Sequence, residues 1–90
     1  MHITWDEVKA ETNLKKHGID FLEAVTVLRD PMGLTFEDES GDEQRFITIG
    51  HSSRLNLLVV VTCSRGESEI RIISARKASR KERMTYEEGI

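Results

Sequence analysis

The chain is predicted to be an α+β domain, with two N-terminal helices packed on a four-stranded, mainly antiparallel sheet and a short C-terminal helix. Two observations lead there. Apolar residues recur with a period near 3.6 up to Asp30-Pro31, and with a period near 2 from Leu34 to Ala75. Short polar turns join the strand-like segments, which favours hairpins over the long crossovers that parallel strands need. With no repeat, low-complexity tract or linker, the 90 residues read as a single domain, 1–90.

Each element has a local reason. Ile3-Thr4-Trp5 is short and β-prone, an edge strand with Trp5 in the core. Asp6 caps a helix running through Lys16, whose inner face holds Ala10, Asn13, Leu14 and His17. Gly18 stops it, and Lys15, Lys16 and His17 suit the negative end of its dipole. Asn13 on that face is expected to tie neighbouring backbone. Asp20 and Glu23 have capping-box spacing for a second helix with Phe21, Val25 and Leu28 inward, which Asp30-Pro31 ends. Leu34, Phe36 and Asp38 alternate as a strand, and Glu39-Ser40-Gly41-Asp42 turns the chain. Arg45 to Gly50 follows, with Ile47 and Ile49 on one face and Phe46 and Thr48 on the other. Leu55 to Thr62 is apolar on both faces and is the central strand. After a turn at Ser64-Arg65-Gly66-Glu67, Glu69 to Ala75 is the last strand. Ser79 and Glu82 form a capping box for a short helix carrying Met84 and Tyr86.

Composition narrows the function. With 38% hydrophobic and 32% charged residues the chain reads as a globular domain. Its longest apolar run, Leu57 to Val61, falls far short of the roughly 20 residues that span a bilayer, so no membrane partner is expected. No basic-then-apolar leader is visible and Cys63 is the single cysteine, which leads to the expectation of a reducing, cytoplasmic setting. The net charge of −3 conceals a division. Residues 1–44 carry eleven acidic and four basic side chains, residues 45–90 five acidic and nine basic. Local potential rather than the total decides where a polyanion docks, and Arg71, Arg76, Lys77, Arg80, Lys81 and Arg83 face only Glu82 in that stretch. A solvated helix face is the plainer account of the same run.

Several chemistries fall away. His2, His17, His51 and Cys63 show no close-spaced metal-ligand pair, the acidic segment Glu37 to Glu43 does not fit a calcium loop, and no glycine-rich phosphate loop exists. No cofactor is expected. Cys63 has no identifiable base beside it and reads as a buried small hydrophobe. Arginine chemistry remains. Guanidinium forks from Arg45, Arg71, Arg76, Arg80 and Arg83 could converge near one end of the sheet, where they would hold a phosphodiester and stabilise charge building on it. RNA brings its own nucleophile, the 2′-hydroxyl, so a small site without metal suffices for RNA but hardly for DNA.

The segment Arg71-Ile72-Ile73-Ser74-Ala75-Arg76-Lys77-Ala78-Ser79-Arg80-Lys81-Glu82-Arg83 resembles the BrnT family of bacterial toxin ribonucleases, which share the RelE-like fold. Trp5-Asp6, Asn13, Lys16-His17-Gly18, Phe21, Glu23-Ala24, Asp30-Pro31, Glu43, Arg45-Phe46, Ile49-Gly50 and Tyr86-Glu87-Glu88 continue the resemblance in order along nearly the whole chain. It implies the toxin of a type II toxin–antitoxin system, an endoribonuclease that arrests translation. It also implies a BrnA-like DNA-binding antitoxin as partner, with operator DNA engaged only through that antitoxin. One departure stands out: the family often has Glu where this chain has Ser64, so a carboxylate that could assist proton transfer is missing.

The expected site is therefore Arg45, Arg76 and Arg80 as catalytic residues, with Lys77, Lys81, Arg83 and Tyr86 on the RNA. His17 and Glu82 are candidates for proton transfer, although a helix terminus and a capping box explain them structurally. Arg45 could instead pair with Glu43 or Asp42, and Tyr86 could pack rather than stack on a base. Arg76 is expected to point from the sheet end to the last helix's N-terminus and to matter little for folding. Two other functions compete: a catalytically idle module that binds its partner in operator-bound autoregulation, and a plain nucleic-acid-binding domain, which the acidic first half opposes.

Overall fold

Strand β1 (His2–Trp5), helices α1 (Glu7–His17) and α2 (Phe21–Val27), strands β2 (Leu34–Asp38), β3 (Arg45–His51), β4 (Leu57–Arg65) and β5 (Glu69–Lys77), and helix α3 (Arg80–Glu88) follow in order in a computed structural model that describes residues 2–41 and 43–89. Asp42, placed by sequence in the β2–β3 turn, lies outside the described residues. Local signals fix most helix ends. The Asp6 carboxylate accepts from the N–H groups of Val8 and Lys9, and Gly18 closes α1 at φ 74°, where only glycine is unstrained. Ser79 and Glu82 form the expected capping box. At α2 the box is only half present. Asp20 caps the Leu22 N–H, but Glu23 is buried and turns to the β3–β4 loop instead.

The strand order is β1-β5-β4-β3-β2, so the sheet has five strands rather than four. β1 is the expected edge strand, but it pairs in parallel with β5, Ile3 opposite Ile70 and Trp5 opposite Ile72. The other pairings are antiparallel. A parallel partner from the far end of the chain has no hairpin turn to announce it. β1 stops opposite Ile72, and Asn13 takes over where it ends. Its Nδ2 donates to the Ala75 carbonyl at 2.8 Å and its Oδ1 accepts from the Ala75 N–H at 3.1 Å, while Nδ2 also reaches the Ile19 carbonyl. One buried amide thus pairs both backbone groups of an otherwise open edge.

A bulge sets the two faces of β5. The register slips between Val61 and Thr62, leaving Ile73 as the extra residue. Ile72 and Ala75 consequently both join the core under α1 and α2, with Ile19, Phe21, Ala24, Val27, Leu58 and Val60. Trp5 packs on the same core, edge-on to Phe21 at 6.1 Å. A second, smaller cluster of Ile49, Leu57 and Val59 lies on the opposite face, covered by Ala78 and Tyr86. Two leucines depart from expectation. Leu14 is half exposed, leaving Ala10, Asn13 and His17 as the inner stripe of α1. Leu55 does not open β4 but sits in the turn before it with φ 65° and 82% of its surface exposed.

Candidate active site

Alternation along β2 to β5 lays out the face that α3 covers only in part. Cross-strand register places Asp38, Arg45, Cys63 and Arg71 in one row, with Thr4 of β1 at its end. The next row is Phe36, Ile47, Val61 and Ser74, and the next Leu34, Ile49, Val59 and Arg76. Beyond that, His51 lies opposite Leu57. Rows are about 6.8 Å apart along the strands. α3 closes over the Val59 end, and the rows from Arg45 to Phe36 are left open.

Arg45 and Arg71 flank the buried Cys63 from the two neighbouring strands. Each has its Nε buried without a hydrogen-bond partner among the described residues. Among the described residues their ion pairs are long, Arg45 to Glu43 at 3.9 Å and Arg71 to Glu69 at 3.8 Å, with Asp38 opposite Arg45 at the end of the row. Arg65 joins them, 3.9 Å from the same Glu43. Ion pairs this long and half exposed are weak, about 0–1 kcal/mol. Unpaired buried donors are costly by comparison, about 1–3 kcal/mol each. The part-exposed terminal nitrogens of Arg45 and Arg71, held only by such weak pairs, are therefore free to take an oxyanion.

Arg76 behaves differently. Its two terminal nitrogens each donate to one Glu82 oxygen at 2.7 Å, and Oε1 also accepts the Ser79 N–H at 2.7 Å. Hydrogen bonding from Arg76 outweighs burial and, with the cap, holds the Glu82 carboxyl down to about 2. The guanidinium does point at the α3 N-terminus as expected, but a carboxylate occupies it. Glu82 at neutral pH has no proton to give. Arg80, Lys81 and Arg83 are exposed along α3, and alternation turns Lys77 away from Arg76.

A polar cluster that the sequence did not reveal secures the other end of α3. The Tyr86 hydroxyl donates to Asp30 Oδ2 at 2.7 Å and lies 3.2 Å from His51 Nδ1, with the two rings edge to face at 5.0 Å. Since the hydroxyl proton goes to Asp30, His51 Nδ1 is the donor to Tyr86. Asp30 also accepts the N–H groups of His51 and Met32. Burial pushes the Asp30 carboxyl up, but these bonds together hold it below the usual range, and the carboxylate in turn pushes Tyr86 up to about 12. Gly50 permits the approach. A Cβ there would come within 3.2 Å of both Asp30 Oδ2 and Val27 Cγ1. Tyr86 therefore packs into the protein instead of standing free for a base.

The expected site residues do not form one group. Arg45 sits with Arg65 and Arg71, two rows from Arg76, while Arg80 is on α3. His17 lies on the helix side of the sheet beside Asn13 and Ile73. Ser64 is opposite Ile70, and alternation puts it on the other face from Cys63 and Arg65, so a carboxylate at that position would not face the arginine row. Arg65 and Arg71 were visible as charges, but only the register β3-β4-β5 brings them to Arg45. No group of three or more His, Cys, Asp or Glu residues is arranged to hold a metal ion among the described residues. Nor is any helix among them long and apolar enough to cross a membrane.

Residues 5–82 match the family described as the ribonuclease toxin, BrnT, of type II toxin–antitoxin systems. Among solved structures, the fold is similar to that of the Brucella abortus ribonuclease toxin, BrnT. The TM-score is 0.72 and the identity 32%, over 89% of this chain and 99% of that one. No curated protein matches the chain.

Proposed function

Since the chain belongs to the BrnT family of ribonuclease toxins of type II toxin–antitoxin systems, we propose that it cleaves RNA on the open face of the sheet, holding the scissile phosphodiester between Arg45 and Arg71. The observation that carries this is the pair of part-exposed guanidinium groups flanking Cys63 from the two neighbouring strands, whose ion pairs are as long as 3.8 and 3.9 Å. In this reading the RNA 2′-hydroxyl gives its proton to water and attacks the adjacent phosphorus, forming the 2′,3′-cyclic phosphate, and the 5′-oxygen of the next nucleotide leaves as a hydroxyl with a proton taken from water. Arg45 and Arg71 bind the non-bridging oxygens as charge builds on them, and Arg65 adds positive potential. Preorganised donors of this kind act where charge develops, and losing one costs about 10²–10³ in rate. No divalent ion is required. Arg80, Lys81 and Arg83, exposed along α3, extend the positive potential as further phosphate contacts, while Arg76 is held by Glu82 and Lys77 lies on the other face. The chain acts in the cytoplasm, where cleavage arrests translation. A BrnA-like antitoxin neutralises it and carries it to operator DNA, which the acidic first half would otherwise repel.

The test is cleavage of single-stranded RNA by purified protein in EDTA, with products analysed for a 2′,3′-cyclic end. Arg45→Ala and Arg71→Ala should each lower the rate by about 10²–10³ without unfolding the protein. Restoration of an EDTA-abolished activity by magnesium or zinc would sink the metal-free mechanism. Full activity in both variants would sink the site.

A further inference from the structure

The row between the arginines is open and apolar up to Ser74 at its β5 end. Phe36, on edge strand β2, is 41% exposed and lies opposite Ile47, which lies opposite Val61, and both aliphatics are only partly buried. Val8 and Leu22, exposed as well, are on α1 and α2 against the other face of the sheet. Phe36 differs in its setting. The Arg45–Cys63–Arg71 row runs along one side of the strip and the row ending in Arg76 along the other, each about 6.8 Å away. Of the carboxylates nearby, Glu82 is taken up by Arg76, and the others stand behind the arginines or at the margin. Glu43 and Glu69 lie on the far side of the Arg45–Arg71 row, and Asp38 at its outer end is engaged by the Ser40 N–H and hydroxyl.

An aromatic ring beside two aliphatics and one row from the Arg45 and Arg71 guanidinium groups matches a ligand with a flat π face and an anionic group one row away. A nucleobase with its own phosphate has that form, and every base offers the π face. Building on the proposed RNA cleavage, we infer that Phe36, with Ile47 and Val61 beside it, is the stacking platform for the nucleobase adjoining the phosphodiester held by Arg45 and Arg71. Phe36 is on this account a substrate-binding residue, felt in KM more than in kcat. Because it reads no base edge, it gives affinity with little sequence preference.

The experiment compares wild type, Phe36→Ala and Phe36→Trp in two assays. One is steady-state cleavage of a fluorogenic single-stranded RNA. The other is anisotropy binding of a non-cleavable 2′-O-methyl oligonucleotide, with and without one abasic residue at the position next to the scissile phosphate. Phe36→Ala should raise KM and Kd about 5- to 100-fold, as loss of one base–aromatic stack does, with kcat changed less and the melting temperature nearly constant. Phe36→Trp should restore binding. The abasic oligonucleotide should weaken wild type by a similar factor and add nothing to Phe36→Ala. Unchanged KM and Kd in Phe36→Ala, beside an active wild type, would overturn the inference. So would a variant that handles RNA normally but no longer co-purifies with its antitoxin, because the strip would then be a protein interface. If wild type cleaves no RNA, the proposed activity itself falls, and the binding arm alone decides the platform.

Discussion

Replacing Arg76 with alanine should destabilise the protein, against the expectation from sequence that this arginine is dispensable for folding. Arg76 and Glu82 are joined by two 2.7 Å hydrogen bonds, with side-chain exposures of 43% and 25%. Exposed pairs contribute about 0.2–1 kcal/mol, and breaking a fully buried pair costs about 3–5 kcal/mol. The Glu82 carboxyl falls from an ordinary 4.5 to about 2, which taken at face value is about 3.4 kcal/mol. Part of that belongs to the Ser79 N–H, which the variant keeps, and solvent reaches both partners, so about 1–2 kcal/mol is expected. In a domain this size that lowers the melting temperature by about 5–15 °C. The pH dependence gives an independent check. A carboxyl whose folded pKa lies below its unfolded value stabilises fully above about 4.5 and loses that contribution as pH falls towards about 2. The gap between wild type and Arg76→Ala should therefore be full at pH 7 and shrink towards zero at pH 2. Thermal melts by circular dichroism across that range measure it. A gap under about 0.5 kcal/mol at pH 7, or one that does not narrow in acid, would refute the reasoning.

Two further outcomes follow from the fold. Asn13→Ala should cost about 3 kcal/mol, because the Ala75 N–H and carbonyl and the Ile19 carbonyl lose their partner together. The melting temperature should fall by about 12–24 °C, and Ala75 should lose amide-exchange protection. A loss below 1 kcal/mol would show that water replaces the amide. Leu55→Gly should stabilise by about 0.5–1 kcal/mol, since it relieves a left-handed leucine that is almost fully exposed. A lower melting temperature would mean the side chain packs in solution.

The sequence carried the local structure because local rules need only neighbours. Asp6, Gly18 and the Ser79–Glu82 box end helices through hydrogen bonds a few residues long. The alternation of Ile47 and Ile49 against Phe46 and Thr48 fixed the faces of β3 whatever lay beside them. Glu23 shows where that logic stops. Its spacing from Asp20 satisfies a capping box, yet Ser52 and Asn56 offer it two bonds from the next loop, at 2.7 and 2.8 Å, and it takes those. The resemblance to the BrnT family was legible for a similar reason, as it rests on ordered residues rather than on contacts.

Tertiary structure alone decided which charges meet. The basic run from Arg71 to Arg83 looked like one cationic group, but β5 and α3 divide it. Alternation sends Lys77 away from Arg76, Glu82 takes Arg76, and the β3-β4-β5 register carries Arg71 to Arg45 across Cys63. Likewise Asp30, His51 and Tyr86, a helix stop, a strand end and a helix face in sequence, become one hydrogen-bonded cluster only because α2, β3 and α3 converge. Helix caps and strand alternation are short-range and so were determined by the sequence itself. Strand register, the bulge at Ile73 and the parallel docking of β1 depend on how distant segments share one core, and it was these that assembled the arginine row.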